Sequence, residues 1–337
     1  MKKIVNAFTL ISVSAFLLCA CNNNQKPDSH EESKYIDLIL LGGQSNAAGY
    51  SAILDNETET FENVRYAGMT DKTLIGNEVT IGSDFLTTKE KYRDEVTGGL
   101  GYSPNHIGPE YGMAKYLNER YGEEDELLIF KTAAGGTTMS NVSSNLSGVY
   151  GNWYPRSLWP ENYEPNITTA TPDNKATGIL YKLFIENFKL VYNSLIEDGY
   201  EVNILGMVWS QGESDADLGG DWLANYGNLL RTFINDIRTD ISEITEDEWY
   251  EDNLPFVVVK CATTYFGYNR EVNFKLRTQQ ENVASSMNAV ATVETSDLIV
   301  IQENGQRAPG CVDDWHQCFK DMVTVGQRCV DALDSLL

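Results

Sequence analysis

Residues 35–47 read YIDLILLGGQSNA, an apolar run that ends in two glycines and a short polar segment. The run is short and rich in Ile and Leu, as is typical of a strand that is covered on both faces. The two glycines permit a sharp turn that exposes the hydroxyl of Ser45 at the carboxyl end of the strand. This stretch predicts the first strand of a parallel sheet, with a candidate site at its end.

Similar apolar runs recur along the chain, and amphipathic stretches lie between or after them. The predicted strands are Ile36–Leu41, Leu127–Thr132, Val202–Trp209, Phe256–Cys261 and Ala289–Val293. The predicted helices are Pro109–Tyr121, Gly178–Glu197, Trp222–Arg238, Val272–Met287 and Met322–Leu336. This repeated alternation predicts a doubly wound, five-stranded, mostly parallel sheet in a single α/β domain, with functional sites at the carboxyl ends of its strands.

Composition argues against several classes of function. The chain has 337 residues, and 49 Asp and Glu against 25 Lys and Arg give a formal net charge of −24. This charge repels phosphate backbones, so we expect no nucleic-acid partner. Only three histidines are present, His30, His106 and His316, which argues against a histidine-rich metal centre.

The beginning of the chain carries the features of an export signal. Two lysines precede an apolar run over residues 4–18 that is too short for a stable transmembrane span. The following LCAC segment, residues 18–21, resembles the lipobox of bacterial lipoproteins and implies a lipid on Cys21. An ordinary secretory signal that is cleaved nearby is the alternative.

These features predict the organisation of the whole chain. We expect residues 1–20 to be removed as a signal peptide and residues 21–34, which are polar and lack apolar periodicity, to form a flexible tether. Residues 35–337 then form the folded domain, held in the bacterial cell envelope through the lipid on Cys21 and by no other membrane contact. Because His30 lies in the tether, it is a poor catalytic candidate.

Four cysteines belong to the predicted domain: Cys261, Cys311, Cys318 and Cys329. An extracytoplasmic setting permits disulfides, and three connectivities are possible if all four pair. A zinc site of Cys311, His316, Cys318 and Cys329 is a further alternative, but its spacing matches no common zinc motif. We favour buried thiols, or one disulfide that steadies the C-terminal loop.

The segment DDWH, residues 313–316, supplies two groups that could assist a serine nucleophile. A carboxylate three residues before a histidine can bond one ring nitrogen, fix its tautomer and leave the other nitrogen facing the nucleophile. We favour Asp313 over Asp314 for this role. Asp314 is separated from His316 by one residue, and a side chain at that spacing tends to point away from the histidine. For Ser45, the structural alternative is a glycine turn in which the serine caps a helix. For His316, it is an exposed acidic turn with a surface histidine.

Two further strand ends carry polar groups of a suitable kind. They are AAGGT at residues 133–137 and WSQGESD at residues 209–215. A backbone N–H of the glycine loop and the side-chain amide of Gln211 could both donate to the oxygen of a tetrahedral intermediate. We interpret Glu213 and Asp215 as carboxylates that fix the loop.

Taken in order, the segments GQSN, GGT, WSQGESD and Asp313-x-x-His316 resemble the blocks of the SGNH-hydrolase superfamily. Together with GPE at residues 108–110, they resemble more narrowly its sialate O-acetylesterase and acetylxylan esterase branch, carbohydrate esterase family six. The resemblance covers the chain from Tyr35 to about Arg328. It implies a flavodoxin-like sheet and a serine esterase that removes O-acetyl groups from acetylated polysaccharide or sialic acid, without a metal or organic cofactor.

The resemblance also implies roles for individual residues. Ser45 would be the nucleophile, His316 the base and Asp313 its orienter. The oxyanion donors would be the N–H groups of Ser45 and of Gly136, or its neighbour in the glycine loop, and the amide of Gln211. A non-catalytic glycan-binding surface lipoprotein and an esterase or lipase for longer acyl groups are the alternatives.

The long polar insertions Tyr50–Ile107 and Met139–Pro172 interrupt the alternation and are candidates for shaping a binding surface. The second insertion contains four large aromatic residues, Trp153, Tyr154, Trp159 and Tyr163. Their flat faces could stack on sugar rings, or they could pack the insertion onto the domain. Both interpretations remain open at this point, and if the rings are structural, the sugar site is to be sought in Tyr50–Ile107.

Overall fold

The computed structural model describes most of the predicted domain. The described residues are 34–54, 59–61, 63–69, 96–97, 100–103, 105–120, 126–142, 151–165, 177–262, 270–298, 300, 302 and 305–337. The predicted signal, the lipid site on Cys21 and all of the tether except Lys34 lie outside these residues. Within the described part of the chain, no helix combines the length and the apolar character needed to cross a membrane.

In the described residues, six strands form the central sheet, and every neighbouring pair is parallel. They are β1 (Lys34–Gly43), β2 (Val64–Met69), β3 (Glu126–Ala133), β4 (Tyr200–Ser210), β5 (Phe256–Val259) and β6 (Val290–Val293). Their order across the sheet is β2-β3-β1-β4-β5-β6. The five predicted strands are confirmed, and among themselves they have the flavodoxin order.

The prediction of a five-stranded sheet was wrong by one strand, because β2 lies inside the insertion Tyr50–Ile107. Its sequence, VRYAGM, contains a charged residue and a glycine and therefore lacks a continuous apolar run. Within the described residues this strand pairs only with β3, and its Arg65 forms an ion pair with Glu126 at the start of β3. The strand is thus stabilised by pairing with β3, and its own sequence gives no strong indication of a strand.

Eight helices are found in the described residues. They are α1 (Ser45–Ala48), α2 (Pro109–Asn118), α3 (Ile179–Glu197), α4 (Glu213–Leu218), α5 (Gly220–Thr245), α6 (Trp249–Asn253), α7 (Arg270–Ser286) and α8 (Phe319–Leu336). The five predicted helices correspond to α2, α3, α5, α7 and α8, and α5 extends well beyond its predicted end. The three short helices were not predicted, because fewer than two turns give too little periodicity.

The sheet is covered on both faces. Leu38 and Leu40 of β1 pack into one apolar cluster with side chains of α3, α5 and α7, whereas Ile39 and Leu41 pack into a second cluster with α2 and α8. This alternation along β1 follows from the two-residue period of a strand. The described residues form a single α/β domain in which helices flank a parallel sheet.

The carboxyl ends of the three central strands meet at Gly43. This residue pairs with Ala133 of β3 on one side and with Ser210 of β4 on the other. Its φ of 143° is one that other residues rarely adopt, and a Cβ there would lie 2.0 Å from the carbonyl oxygen of Ser210. The glycine therefore lets the chain turn out of β1 at the point where the neighbouring strands also end.

Candidate active site

Ser45 begins α1 directly after this turn and is 8% exposed. Hydrogen bonds of Gln44 fix this turn to the segment that ends β4 and begins α4. The backbone N–H of Gln44 donates to the carbonyl oxygen of Ser210 at 2.9 Å, and its side-chain oxygen accepts the N–H groups of Gly212 and Ser214 at 3.3 and 3.2 Å. The position of the serine is thus fixed by the neighbouring strand end.

Asn46 links the serine turn to the C-terminal loop. Its Nδ2 donates to Oε1 of Glu213 at 3.0 Å, and its Oδ1 accepts the backbone N–H of Gln317 at 3.3 Å. Because Asn46 follows Ser45 and Gln317 follows His316, this bridge brings the two predicted catalytic residues to the same edge of the sheet. Sequence reasoning missed the role of Asn46; its only signal is a polar side chain beside the serine.

The ring of His316 is oriented by Asp313. Nδ1 of His316 donates to Oδ2 of Asp313 at 2.7 Å, and Oδ1 of Asp313 accepts the backbone N–H groups of Trp315 and His316 at 2.8 and 2.9 Å. The carboxylate of Asp314 instead forms an ion pair with Arg307, with Oδ1 2.6 Å from Nε. The geometry therefore places Asp313, and not Asp314, on the histidine, and this bond leaves Nε2 as the nitrogen that can act as a base.

The environment of Asp313 keeps its carboxyl group ionised. Burial alone would raise the pKa of Asp313, but hydrogen bonds from the ring of His316 and from the N–H groups of Trp315 and His316 outweigh burial, so the pKa lies below its ordinary value. An ionised carboxylate can accept a hydrogen bond from Nδ1–H and stabilise the imidazolium that forms when the histidine takes up a second proton.

A disulfide between Cys311 and Cys318 closes the loop that carries Asp313 and His316. One disulfide steadying the C-terminal loop is therefore found, and Cys261 and Cys329 are buried thiols. The alternative of a zinc site is wrong, because two of its four ligands are bonded to each other. Over the ranges that the structure describes, no group of three or more potential ligands could hold a metal ion.

The amide of Gln211 is directed into the protein. Its Nε2 lies 2.6 Å from Oδ2 of Asp215, 3.1 Å from the carbonyl oxygen of Thr137 and 3.3 Å from Oε1 of Gln44. These acceptors occupy both amide hydrogens, so in this arrangement Gln211 ties three loops together. Its role as an oxyanion donor stays a prediction, and it requires the amide to turn.

Gly136 lies in the turn after β3, with a φ of 65°. It is partly exposed, whereas its neighbour Gly135 is buried. The left-handed backbone explains the need for glycine at position 136. The role of its N–H group stays a prediction.

Two buried carboxylates, Asp215 and Glu213, bond to the segments that form the site. Oδ2 and Oδ1 of Asp215 accept the N–H groups of Met139 and Ser140 at 2.8 and 2.9 Å, so this residue fixes the loop after β3 as expected. Burial raises the pKa of Asp215 and of Glu213, although hydrogen bonds to each carboxylate oppose the shift. For Glu213, an electrostatic interaction with His316 also opposes the rise in pKa.

The aromatic residues of the second insertion have structural roles. Trp153 is fully buried among core rings, and its Nε1 donates to Oγ1 of Thr137 at 3.1 Å. Nε1 of Trp159 donates to the carbonyl oxygen of Tyr154, and the hydroxyl of Tyr163 donates to a backbone oxygen. A sugar-stacking role for Trp153 is therefore wrong, and Tyr154 and Trp159 also pack against the core.

A buried ion pair that the sequence reasoning missed lies beneath the site. Nζ of Lys131 in β3 is 2.8 Å from Oε2 of Glu110 in α2, and both side chains are 0% exposed. Nζ also donates to the carbonyl oxygens of Ala48 and Leu100 at 3.2 and 3.0 Å. The pair thus fixes the end of α1 and a segment of the first insertion to the sheet. A lysine that directly follows the apolar run LLIF, residues 127–130, was the available signal.

Comparison with known proteins identifies the family of this chain. Residues 35–333 match the family described as "carbohydrate esterase, sialic acid-specific acetylesterase". Two solved structures share the fold: NanS, at 13% identity and a TM-score of 0.57 over 90% of this chain and 98% of that one, and a protein from Arabidopsis thaliana, at 18% identity and a TM-score of 0.55 over 89% and 98%. No curated protein sequence matches the chain significantly.

Proposed function

The chain belongs to the carbohydrate esterase family of sialic acid-specific acetylesterases, and we propose that Ser45, His316 and Asp313 carry out its reaction. Members of such a family are carboxylic ester hydrolases, so the reaction is the removal of O-acetyl groups from carbohydrates. The observation that carries the assignment of residues is the contact of Asp313 with Nδ1 of His316, on a loop that Asn46 ties to the serine turn.

In the proposed mechanism, Oγ of Ser45 attacks the acetyl carbonyl carbon while Nε2 of His316 takes the hydroxyl proton. The carbonyl electron pair moves onto oxygen, and the N–H groups of Ser45 and Gly136 stabilise the resulting oxyanion. When this intermediate collapses, the sugar alkoxide leaves with the proton from His316. Water then attacks the acetyl-enzyme by the same route, which releases acetate and restores the Ser45 hydroxyl.

We propose O-acetylated sialic acid as the first substrate to test, since the family description names this sugar. Acetate release by the full chain is to be measured on O-acetylated sialic acid, acetylated xylan and an aryl acetate. Faster release from the sialic acid than from xylan would support the proposal, whereas the reverse order would assign the chain to acetylated polysaccharide. Absence of acetate release from every substrate would favour a non-catalytic glycan-binding role.

Trp315 is proposed as part of the sugar-binding surface, because its side chain is 43% exposed and it precedes His316 in the disulfide-closed loop. Indole rings stack on the apolar faces of sugars. Trp315→Ala is expected to raise KM for an acetylated sugar by about 2- to 13-fold, with a small effect on an aryl acetate, because it loses an aromatic contact of typical strength. Steady-state kinetics on both substrates provide the measurement.

Trp249 provides a matched control for Trp315. It is also half exposed, at 50%, but it lies in α6, which precedes the amino end of β5, whereas Ser45 follows the carboxyl end of β1 in the same parallel sheet. Trp249→Ala should leave KM for both substrates unchanged. Equal losses on the two substrates for Trp315→Ala, together with a lower melting temperature, would assign Trp315 to loop stability instead of substrate binding.

We also propose that a lipid on Cys21 anchors the protein in the bacterial cell envelope, on the evidence of the LCAC segment alone. Cys21→Ala is expected to move the protein from the membrane fraction to the soluble fraction without a change in specific activity, because the tether separates the anchor from the domain. Fractionation and mass spectrometry test this. Membrane retention of the variant, with no acyl chain on the wild-type protein, would contradict it.

A further inference from the structure

Tyr50, which lies five residues after Ser45, is stacked between two other rings. The centroid of its ring is 4.4 Å from that of His316, with the two planes 17° apart. The ring of Tyr102 lies 4.3 Å away, at 19°. Two rings at these separations cannot occupy the same face of Tyr50, so His316 covers one face and Tyr102 covers the other.

Hydrogen bonds on either side of Tyr50 hold this stack together. The backbone N–H of Tyr102 donates to the carbonyl oxygen of Gly49 at 2.7 Å, and the hydroxyl of Ser51 donates to the carbonyl oxygen of Gln317 at 2.6 Å. The residues before and after Tyr50 are therefore bonded to the two segments that supply its stacking partners. Tyr50 is held in place by backbone contacts as well as by its own ring.

The hydrogen bond to Asp313 holds the ring of His316 at Nδ1 only. The ring plane can therefore still tilt about this bond. The ring of Tyr50, parallel to the imidazole, opposes this tilt. Among the residues that the structure describes, Asp313 bonds Nδ1 of His316, Tyr50 stacks on its ring face, and Glu213 interacts with it electrostatically. Asp314, although close in sequence, is paired with Arg307.

An aromatic face also attracts a cation, because its quadrupole places negative charge above the ring. In the proposed mechanism, His316 is neutral before the reaction and becomes an imidazolium as it takes the proton of Ser45. A phenol ring stacked on the imidazole therefore interacts more strongly in the transition state than in the ground state. Interactions of this kind raise kcat without lowering KM.

We propose that Tyr50 is a positioning residue for His316, which fixes the plane of the imidazole and stabilises its protonated form during catalysis. The inference rests on the proposed role of His316 as the base. It adds to the Ser45, His316 and Asp313 set a residue that touches the histidine on its ring face, and it assigns a function to the first insertion, which supplies Tyr102 to the stack.

Tyr50→Leu tests the proposal, with Tyr50→Phe as the matched control. We expect Leu to lower kcat for an aryl acetate by roughly 3- to 30-fold with little change in KM, whereas Phe, which keeps the aromatic face, retains most of the activity. The acidic limb of the kcat/KM profile should move to lower pH in Tyr50→Leu, because loss of the ring face disfavours the imidazolium. A structural role alone would not shift this limb.

Nuclear magnetic resonance of the histidine rings provides a readout that does not depend on activity. The chain has only three histidines, so the signal of His316 can be assigned by its loss in His316→Gln. Stacking on Tyr50 should shift this signal upfield through the ring current. The shift should persist in Tyr50→Phe and disappear in Tyr50→Leu.

Three outcomes separate this inference from the proposed function. If His316→Gln remains active, the proposed function fails and the inference fails with it. If His316→Gln is inactive but Tyr50→Leu matches Tyr50→Phe in kcat and in pH profile, only the inference is overturned. An unshifted histidine signal in the wild-type protein would also overturn it, even if Tyr50→Leu folds poorly.

Discussion

Ser45→Ala is expected to lower kcat/KM for an aryl acetate by at least roughly a thousandfold, because the variant has no oxygen nucleophile at the end of β1. Folding should be preserved. The hydroxyl lies in a turn that is held by the backbone and side chain of Gln44, so its removal takes no atom from the core. Initial rates and a thermal unfolding curve of both proteins provide the measurement.

Ser214→Ala is the matched control for Ser45→Ala. Ser214 is similarly buried and lies in α4, four residues after the end of β4, and its hydrogen bond to Gln44 uses its backbone N–H. This variant should retain activity. If Ser45→Ala kept its activity with an unchanged unfolding curve, a serine mechanism at this position would be excluded.

Lys131→Met is expected to lower the free energy of unfolding by about 3–5 kcal/mol, because it leaves the carboxylate of Glu110 buried without a cationic partner. Both side chains are fully buried, so water cannot replace the missing charge. The variant also loses two hydrogen bonds, to the carbonyl oxygens of Ala48 and Leu100. Denaturant unfolding of the wild-type protein and the variant measures the difference.

Two further variants separate the buried charge from the loss of volume. Lys131→Met combined with Glu110→Gln should recover a large part of the lost stability, because the double variant no longer buries an unpaired charge. Lys115→Met removes one member of the exposed pair between Lys115 and Glu59 and should change the stability by less than about 1 kcal/mol. A double variant as unstable as Lys131→Met would show that packing, not charge, causes the loss.

Much of the fold could be predicted because its strands are locally encoded. Strands that are buried on both faces consist of continuous apolar residues, as in β1, and such runs can be recognised without knowledge of their neighbours. The edge strand β2 could not be predicted, because VRYAGM becomes a strand only through pairing with β3. The short helices α1, α4 and α6 likewise depend on the turns that surround them.

The same distinction applies to the candidate site. Ser45, Asp313 and His316 could be proposed from sequence because strand ends of a parallel sheet converge and because Asp313 is near its partner in the chain. Asn46 and Tyr50 could not, because their partners Gln317 and His316 lie more than two hundred residues away. No local pattern reports such contacts.

The rings of Trp153, Tyr154, Trp159 and Tyr163 show a further limit of sequence reasoning. Large aromatic residues in a polar insertion are compatible with both a sugar-binding surface and a packing role. The structure assigns Trp153 to the core, where it contacts Trp209 and Phe233. Sequence composition reports the chemical type of a side chain but not the direction in which it points.

The location of the acetyl group during turnover tests the central claim most directly. The wild-type protein is to be mixed with an aryl acetate, quenched with acid within the first turnovers, digested and examined by tandem mass spectrometry. We expect an acetyl group on Ser45 and none on the corresponding peptide of Ser45→Ala. An acetyl group on another side chain, with turnover that persists in Ser45→Ala, would contradict Ser45 as the nucleophile.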